Sequence, residues 1–328
     1  GVAVQDVAVA EASGWASSLD TLGCFQDPSK GGMGVHYVNS SLMDGTVDVT
    51  AWNDPDFRIW VPDTATVVPE PAALSLLLLG AVPAADPWDD ARLPLEPRNR
   101  GAAVYAIHTW VETMVASEAP LAERVAWMWH GHFVSALDKV RVARLMVDQV
   151  RLLRRAGRGP FRDLLRAVTI DPAMLVYLDL RTSTGSEPNE NYARELLELF
   201  TLGEGNYSEA DVKAGAVALT GWTLVRGEGS AAFRPRRHDD AYHRYLGRDQ
   251  VHDLDTVVDA LMAHASLPVW IASTVAAEFL GTADPAFVAE LAERFSAAGF
   301  DVGELVRAAL EAVVTTDGAP VVLAPLPW

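Results

Sequence analysis

The sequence predicts a mainly α, multi-helix globular domain behind an irregular N-terminal segment. Apolar residues recur at helical spacing through most of the stretch from Ala102 to about Ala312, with Leu, Ala and Arg dominating and short connections between segments. Helix-start signals recur along it: Pro172, Pro268 and Pro285 open apolar runs, and Ser208-Glu209-Ala210-Asp211 has capping-box spacing. Before Asn99 the chain carries turn dipeptides and prolines instead. The predicted division is therefore residues 1–98 as a divergent or irregular segment and residues 99–328 as a helical domain.

Taken in order, residues 1–22 have a loose helical period through Val4, Val7, Ala8, Trp15 and Leu19. Lys30-Gly31-Gly32-Met33-Gly34 is glycine-rich but lacks the Gly-Lys-Ser/Thr that completes a phosphate loop. Residues 35–62 mix Val, Tyr, Thr, Trp and Ile with Asp-Gly and Asp-Pro turns, which predicts one or two short strands. Pro71 opens Ala72-Ala73-Leu74-Ser75-Leu76-Leu77-Leu78-Leu79-Gly80, read as a buried helix. Its internal Pro-Glu-Pro resembles the sorting tails of exported bacterial proteins, yet it stands mid-chain and runs into Asp86-Pro87-Trp88. Pro83 to Pro97 is a linker or extended segment.

Helices are predicted over 102–118, 122–136, 140–156, 161–169, 172–180, 189–200 and from Ser208 to Gly221. Four more follow over 253–263, 268–280, 285–298 and 302–314. Gly221 supplies a stop, and residues 223–250 read as polar and irregular.

Bulk composition narrows the function classes. Half of the 328 residues are hydrophobic and 21% are charged, which marks a globular chain. A net charge of -18 argues against general binding to nucleic acid or anionic membranes, although Arg141 to Arg166 is locally basic. The longest apolar run, Pro71 to Ala85, is interrupted by proline and too short for a stable membrane span. Cys24 is the sole cysteine, so neither an internal disulfide nor a cysteine-rich metal site can form.

Three stretches carry candidate chemistry. The first is Asn189-Glu190-Asn191-Tyr192-Ala193-Arg194-Glu195-Leu196-Leu197-Glu198-Leu199-Phe200. On a regular helix Glu190, Arg194 and Glu198 share one face, so Arg194 can pair at i±4 with both glutamates. The cluster is either an ion-paired face or a polar site, and a buried version requires full pairing. The second is Trp129-His130-Gly131-His132-Phe133. Two histidines at i,i+2 point about 160° apart on a helix and cannot share a metal from there. Each is either a packed imidazole or a ligand or acid–base group. The third is His238-Asp239-Asp240-Ala241-Tyr242-His243, where histidines flank two carboxylates in a polar loop.

Five of the eight histidines (130, 132, 238, 243, 252) fall near these stretches. With Glu190, Glu195, Glu198 and Asp239 they would form a mixed nitrogen and oxygen donor set that suits a divalent metal such as Zn, Mn or Fe. No His-Glu-x-x-His or Glu-x-x-His string is present, and no Gly-x-Ser-x-Gly marks a serine hydrolase.

Six blocks then carry a resemblance. They are Trp129–Phe133, Asp171–Asp179, Asn189–Leu199, Gly205–Val212, Thr220-Gly221-Trp222 and Arg237-His238-Asp239. In this order they resemble the bacterial "domain of unknown function 1800" family over roughly residues 100–313. The resemblance implies a protein that is often exported, to the periplasm or beyond, and whose gene often neighbours that of a sulfatase-like protein, a candidate partner. It implies no settled activity. This chain departs from the family pattern at Gly131, where relatives usually have Asn, at Phe200, where many have His, and at His243, where many have Lys.

Two functional readings follow. In the first, the chain is a hydrolase-type enzyme acting on an exported or cell-surface substrate. His132, Glu190, Arg194, Glu195 and His238 are then its catalytic candidates, and Asn189, Asn191 and Trp222 its substrate-binding candidates. His130, Glu198 and Asp239 are the candidates for a metal. In the second, the chain is a non-catalytic helical binding or assembly module, and its Asn/Glu/Arg cluster is a buried structural network.

Overall fold

A computed structural model describes residues 22–27, 32–37, 85–225, 227–281 and 284–315. The helices expected over 1–22 and from Pro71, and the chain end, lie outside the described residues. The chain divides into two compact units, Gly1–Pro69 and Glu70–Trp328. In the first, β1 (Leu22–Asp27) pairs antiparallel with β2 (Gly32–Tyr37), and the glycine cluster runs into β2.

The second unit is built from α1 (Arg100–Ala116), α2 (Pro120–His132), the single turn α3 (Leu137–Val140), α4 (Ala143–Ala156), α5 (Phe161–Thr169) and α6 (Pro172–Tyr177). These are followed by α7 (Glu190–Glu195), which continues as a π-helical segment over Leu196–Thr201, and by α8 (Glu209–Ala218). Four helices end the described chain: α9 (Leu254–Met262), α10 (Ser266–Leu280), α11 (Pro285–Ala297) and α12 (Val302–Thr315). The mainly α expectation therefore holds.

The capping chemistry explains where several helices begin. Asn99 accepts from the Ala102 amide at the start of α1. Asp171 accepts from Met174 ahead of Pro172. The box read at Ser208 is formed in full, with Asp211 returning a bond to the Ser208 amide. A second box joins Asp253 and Thr256 at α9. Ser208→Ala is expected to lower stability by about 1 kcal/mol in denaturant melts.

Two regions differ from the sequence reading. The helix expected over 140–156 is interrupted because Arg141 takes a left-handed conformation (φ 65°), leaving α3 as one turn. Residues 223–250 contain two hairpins, β3 (Trp222–Leu224) with β4 (Ala231–Phe233), and β5 (His243–Tyr245) with β6 (Arg248–Val251). These strands have three or four residues each, too few for an alternating pattern to declare itself.

The largest core cluster joins α2 and α5–α12, with Trp129, Phe133, Phe161, Tyr192, Phe200 and Phe295 buried at its centre. A second packs Trp88 and Leu93 against α1 and α4. Trp129 links α2 to the end of α4 by donating its indole N–H to the Gly157 carbonyl at 2.7 Å. A side chain at Gly157 would overlap that indole, with a Cβ only 2.7 Å from it.

Candidate functional site

The stretch from Asn189 to Phe200 forms the turn-rich entry, body and exit of α7. Asn189 is its N-cap, accepting from the Asn191 amide, and Asn191 donates to the Leu178 carbonyl. Both proposed substrate-binding asparagines thus have structural partners. Tyr192 is fully buried and donates its hydroxyl to Thr169. Arg194 lies on the surface with its side chain 38% exposed. It meets Glu190 at i−4 as expected, but its stronger partner is Glu209 at the start of α8, at 2.6 and 2.9 Å. Glu198 accepts instead from the Tyr207 hydroxyl at 2.7 Å. Burial, and then the charge of Glu198, raise the Glu195 carboxyl above its ordinary range.

This overturns the expectation of a buried Asn/Glu/Arg network: the charged members form a half-exposed stripe. Exposed pairs contribute little because water and salt screen them. Arg194→Leu is accordingly expected to leave the melting curve close to that of the wild type, and any difference should vanish in high salt.

The π-helical turn explains how α7 ends. Backbone bonding at i−5 joins the Leu202 amide to Leu197, and the carbonyls of Leu199 and Phe200 turn outward. Side chains from other helices satisfy them: the Trp270 indole N–H donates to Leu199 at 2.8 Å, and His132 Nε2 donates to Phe200 at 3.0 Å.

The two histidines of α2 are held apart. His130 is 2% exposed and packs edge-on against Trp110 and beside Trp127. Burial lowers its pKa to about 4. His132 is walled by Trp129, Phe133 and Phe200. Burial lowers it to about 4 despite the bond to the Phe200 carbonyl. That bond requires the Nε2–H tautomer, because a carbonyl only accepts. Gly131 lies between them with open space where a Cβ would stand, so crowding does not require glycine there. Phe200 sits between Phe133 and Tyr192, where its ring completes an apolar nest around His132.

The His238 loop lines a cleft of about 300 Å³. One wall is aromatic, formed by Trp222 of β3 and Phe233 of β4, whose rings lie 5.3 Å apart. The polar lining comes from His252, Asp253 and Asp255 at the start of α9, Arg166 of α5, and the exposed Asp240, with Ala218 and Leu254 completing it. His238 is part of the same lining, its ring edge-on to Phe233 at 5.1 Å.

Its tautomer follows from its partners. Nδ1 lies 3.0 Å from the Thr220 carbonyl, which can only accept. It lies 3.2 Å from Thr220 Oγ1, whose own proton is donated to Val217. Both contacts require a proton on Nδ1, leaving Nε2 with its lone pair. Among the described residues Nε2 has no hydrogen-bond partner.

Nearby charges are partly paired. Arg166 Nε donates to Asp255 at 2.7 Å, and Arg162 joins Asp255 and Asp259. Burial would raise the Asp253 carboxyl, but hydrogen bonds from Thr256 and the charges of His252 and His238 hold it below its ordinary range.

Glycines position this cleft. Gly221 has φ 95°, and an added Cβ would come within 2.9 Å of both the His238 Cβ and the Phe233 ring. Gly221→Ala is expected to cost about 1–3 kcal/mol through backbone strain and to displace His238, visible as shifted imidazole resonances. Gly185 donates its amide to the Arg237 carbonyl at 2.8 Å, and its Cα lies against Asp239. The loop leading into α7 therefore braces the loop that carries His238.

The segment before the first stretch thus meets the loop of the third through backbone, and His132 of the second reaches the first at Phe200. Among the described residues, no hydrogen bond, ion pair or ring contact joins Glu190, Arg194 or Glu195 to His132 or His238. The metal candidates are also dispersed: His130 sits among tryptophans, Glu198 accepts from Tyr207, and Asp239 accepts from the Ala241 amide. Among the described residues, no group of three His, Cys, Asp or Glu is placed to hold a metal ion. Sequence reasoning missed Arg166, Asp253 and Asp255, which reach the cleft from separate helices; the Asp253 capping box is the signal that marks the start of α9.

No curated protein matches the chain, and no solved structure does. The family match, in contrast, takes in all six blocks and begins well ahead of the first of them, at residue 45. Over residues 45–323 the chain matches the family model described as Protein of unknown function (DUF1800), and it belongs to that family.

Proposed function

We propose that the chain is a hydrolase-type enzyme whose reaction takes place in the Trp222–His238–Asp253 cleft, with His238 as general base. The observation that carries this reading is the orientation of His238. Its Nδ1–H is committed to the Thr220 carbonyl, and Nε2 keeps a lone pair beside a cleft. A second group that fixes the tautomer of a base is the arrangement acid–base catalysis uses. Nε2 takes a proton from water, the resulting hydroxide attacks the substrate, and the proton returns to the leaving group as its bond breaks. Asp253, a carboxylate lining the same cleft, stabilises the imidazolium formed in between. No step runs through a metal ion.

Glu190, Arg194 and Glu195 have no part in this scheme, and His132 supports α7 rather than the reaction. The test is hydrolysis of a chromogenic panel of esters, phosphate esters and glycosides by the full chain and by His238→Gln. General-base loss predicts a drop of roughly 10²–10⁴-fold in kcat with intact folding. Unchanged turnover in the variant, or no turnover across the panel, overturns the reading.

A further inference from the structure

We propose that this same cleft binds a neutral sugar ring, with Phe233 as a binding residue beside Trp222 and Tyr242, packed on the cleft-lining His252, as a second one at its margin; the proposal deepens the hydrolytic reading and rests on its location. The first observation is aromatic exposure. Phe233 is 39% exposed and Tyr242 is 67% exposed, which is far more than such rings need for packing. Both are fixed by neighbours: Phe233 against Trp222 and His238, and Tyr242 edge-on against His252 at 4.7 Å. Ring faces carry partial negative charge and attract the weakly positive C–H edge of a partner. The C–H face of a pyranose is such a partner.

The second observation is the balance of donors and acceptors. Asp240 forms no ion pair or side-chain hydrogen bond among the described residues. Asp253 spends one oxygen on Thr256 and holds the other 3.6 Å from His252 Nε2, and His238 Nε2 presents a lone pair. The cationic donor at the site, Arg166, is engaged by Asp255 at 2.7 Å. The cleft therefore carries three carboxylates against one guanidinium, so a ligand that brings hydroxyl donors and no negative charge suits it. A phosphorylated or carboxylated ligand brings acceptors and negative charge to three aspartates and is repelled. A polyhydroxylated ring with one apolar face meets both requirements.

The test is calorimetric titration of the full chain with neutral oligosaccharides of glucose, xylose, mannose and N-acetylglucosamine. Saturable binding by at least one is expected, weakened at least tenfold in Phe233→Ala and in Tyr242→Ala and retained in Phe233→Tyr. Both aromatic side chains are exposed, so the alanine variants should melt like the wild type. No saturable binding by any sugar, binding unaffected by both alanine variants, or uptake of tetramethylammonium with no sugar bound would overturn the proposal. Measuring sugar binding and turnover side by side on the wild-type chain separates the two readings. Sugar bound without turnover leaves the binding proposal standing and removes the hydrolytic one. His238-dependent turnover of a non-sugar substrate, with no sugar bound, does the reverse.

Discussion

Between pH 7 and pH 4 the wild-type chain should lose about 3 kcal/mol of stability relative to His130→Asn, in which no imidazole is present to titrate. Burial among Trp110 and Trp127 lowers the folded-state pKa of His130 from 6.5 to about 4. In that window the unfolded chain binds the proton and the folded chain does not. The contribution of neutral His130 is complete above pH 6.5 and is lost as pH falls from there through 4. The comparison must be made against a variant because other groups titrate in the same range. His132 acts in the same direction. Asp171 opposes them: burial raises its carboxyl to about 7 against hydrogen bonds from Met174, Ala173 and Gln149. The folded state therefore takes up a proton at Asp171 as pH falls, which offsets part of the histidine cost. Urea melts at pH 7, 6, 5 and 4 on both proteins give the difference directly. A difference that stays constant over this range would show that His130 is protonated in the folded state or open to water.

How much of this is legible in the sequence depends on the range of the interaction. Signals confined to one turn are legible. Ser208 and Asp211 form their capping box, Pro172 opens α6, and Gly221 adopts the positive φ that a stop requires. The i,i+4 pair of Arg194 with Glu190 is also present. Partners from elsewhere in the chain are not legible. Glu209 lies 15 residues beyond Arg194 and takes the two shorter bonds, while Tyr207 draws Glu198 away. The π-helical turn at Leu196–Thr201 has no local signature, since it depends on donors from His132 and Trp270 to satisfy the carbonyls it releases. The cleft follows the same rule. His238 stands out from its own loop. The aspartates and arginine facing it arrive from α5 and α9, brought together by packing that local periodicity does not encode.

The largest single-site loss is expected at the pair Glu123–Arg154, which joins α2 to α4. Glu123 is 2% exposed and Arg154 is 5% exposed. The guanidinium grips the carboxylate in a two-pronged geometry, with Nε at 3.1 and 3.0 Å and Nη2 at 2.7 Å. Trp88 covers the guanidinium from one side, its ring centre 5.7 Å away. Such a pair need not add net stability over an apolar replacement, because removing two charges from water is costly. Breaking it is a different matter, since the survivor is left charged and dry. Arg154→Leu should cost about 3–5 kcal/mol and lower the Tm by roughly 10 °C. Arg158 also interacts with the Glu123 charge and relieves part of the loss. Glu123→Gln should cost a similar amount, because it leaves the guanidinium without its counter-charge, and its pKa is too high for it to escape by losing a proton. The double variant Glu123→Leu/Arg154→Leu should lose clearly less than the sum of Glu123→Leu and Arg154→Leu, with a coupling of about 1–3 kcal/mol. Additive losses would mean that the two side chains act through packing rather than as a pair. A single-variant loss under about 1 kcal/mol, the scale of an exposed pair, would mean that water reaches the joint between α2 and α4.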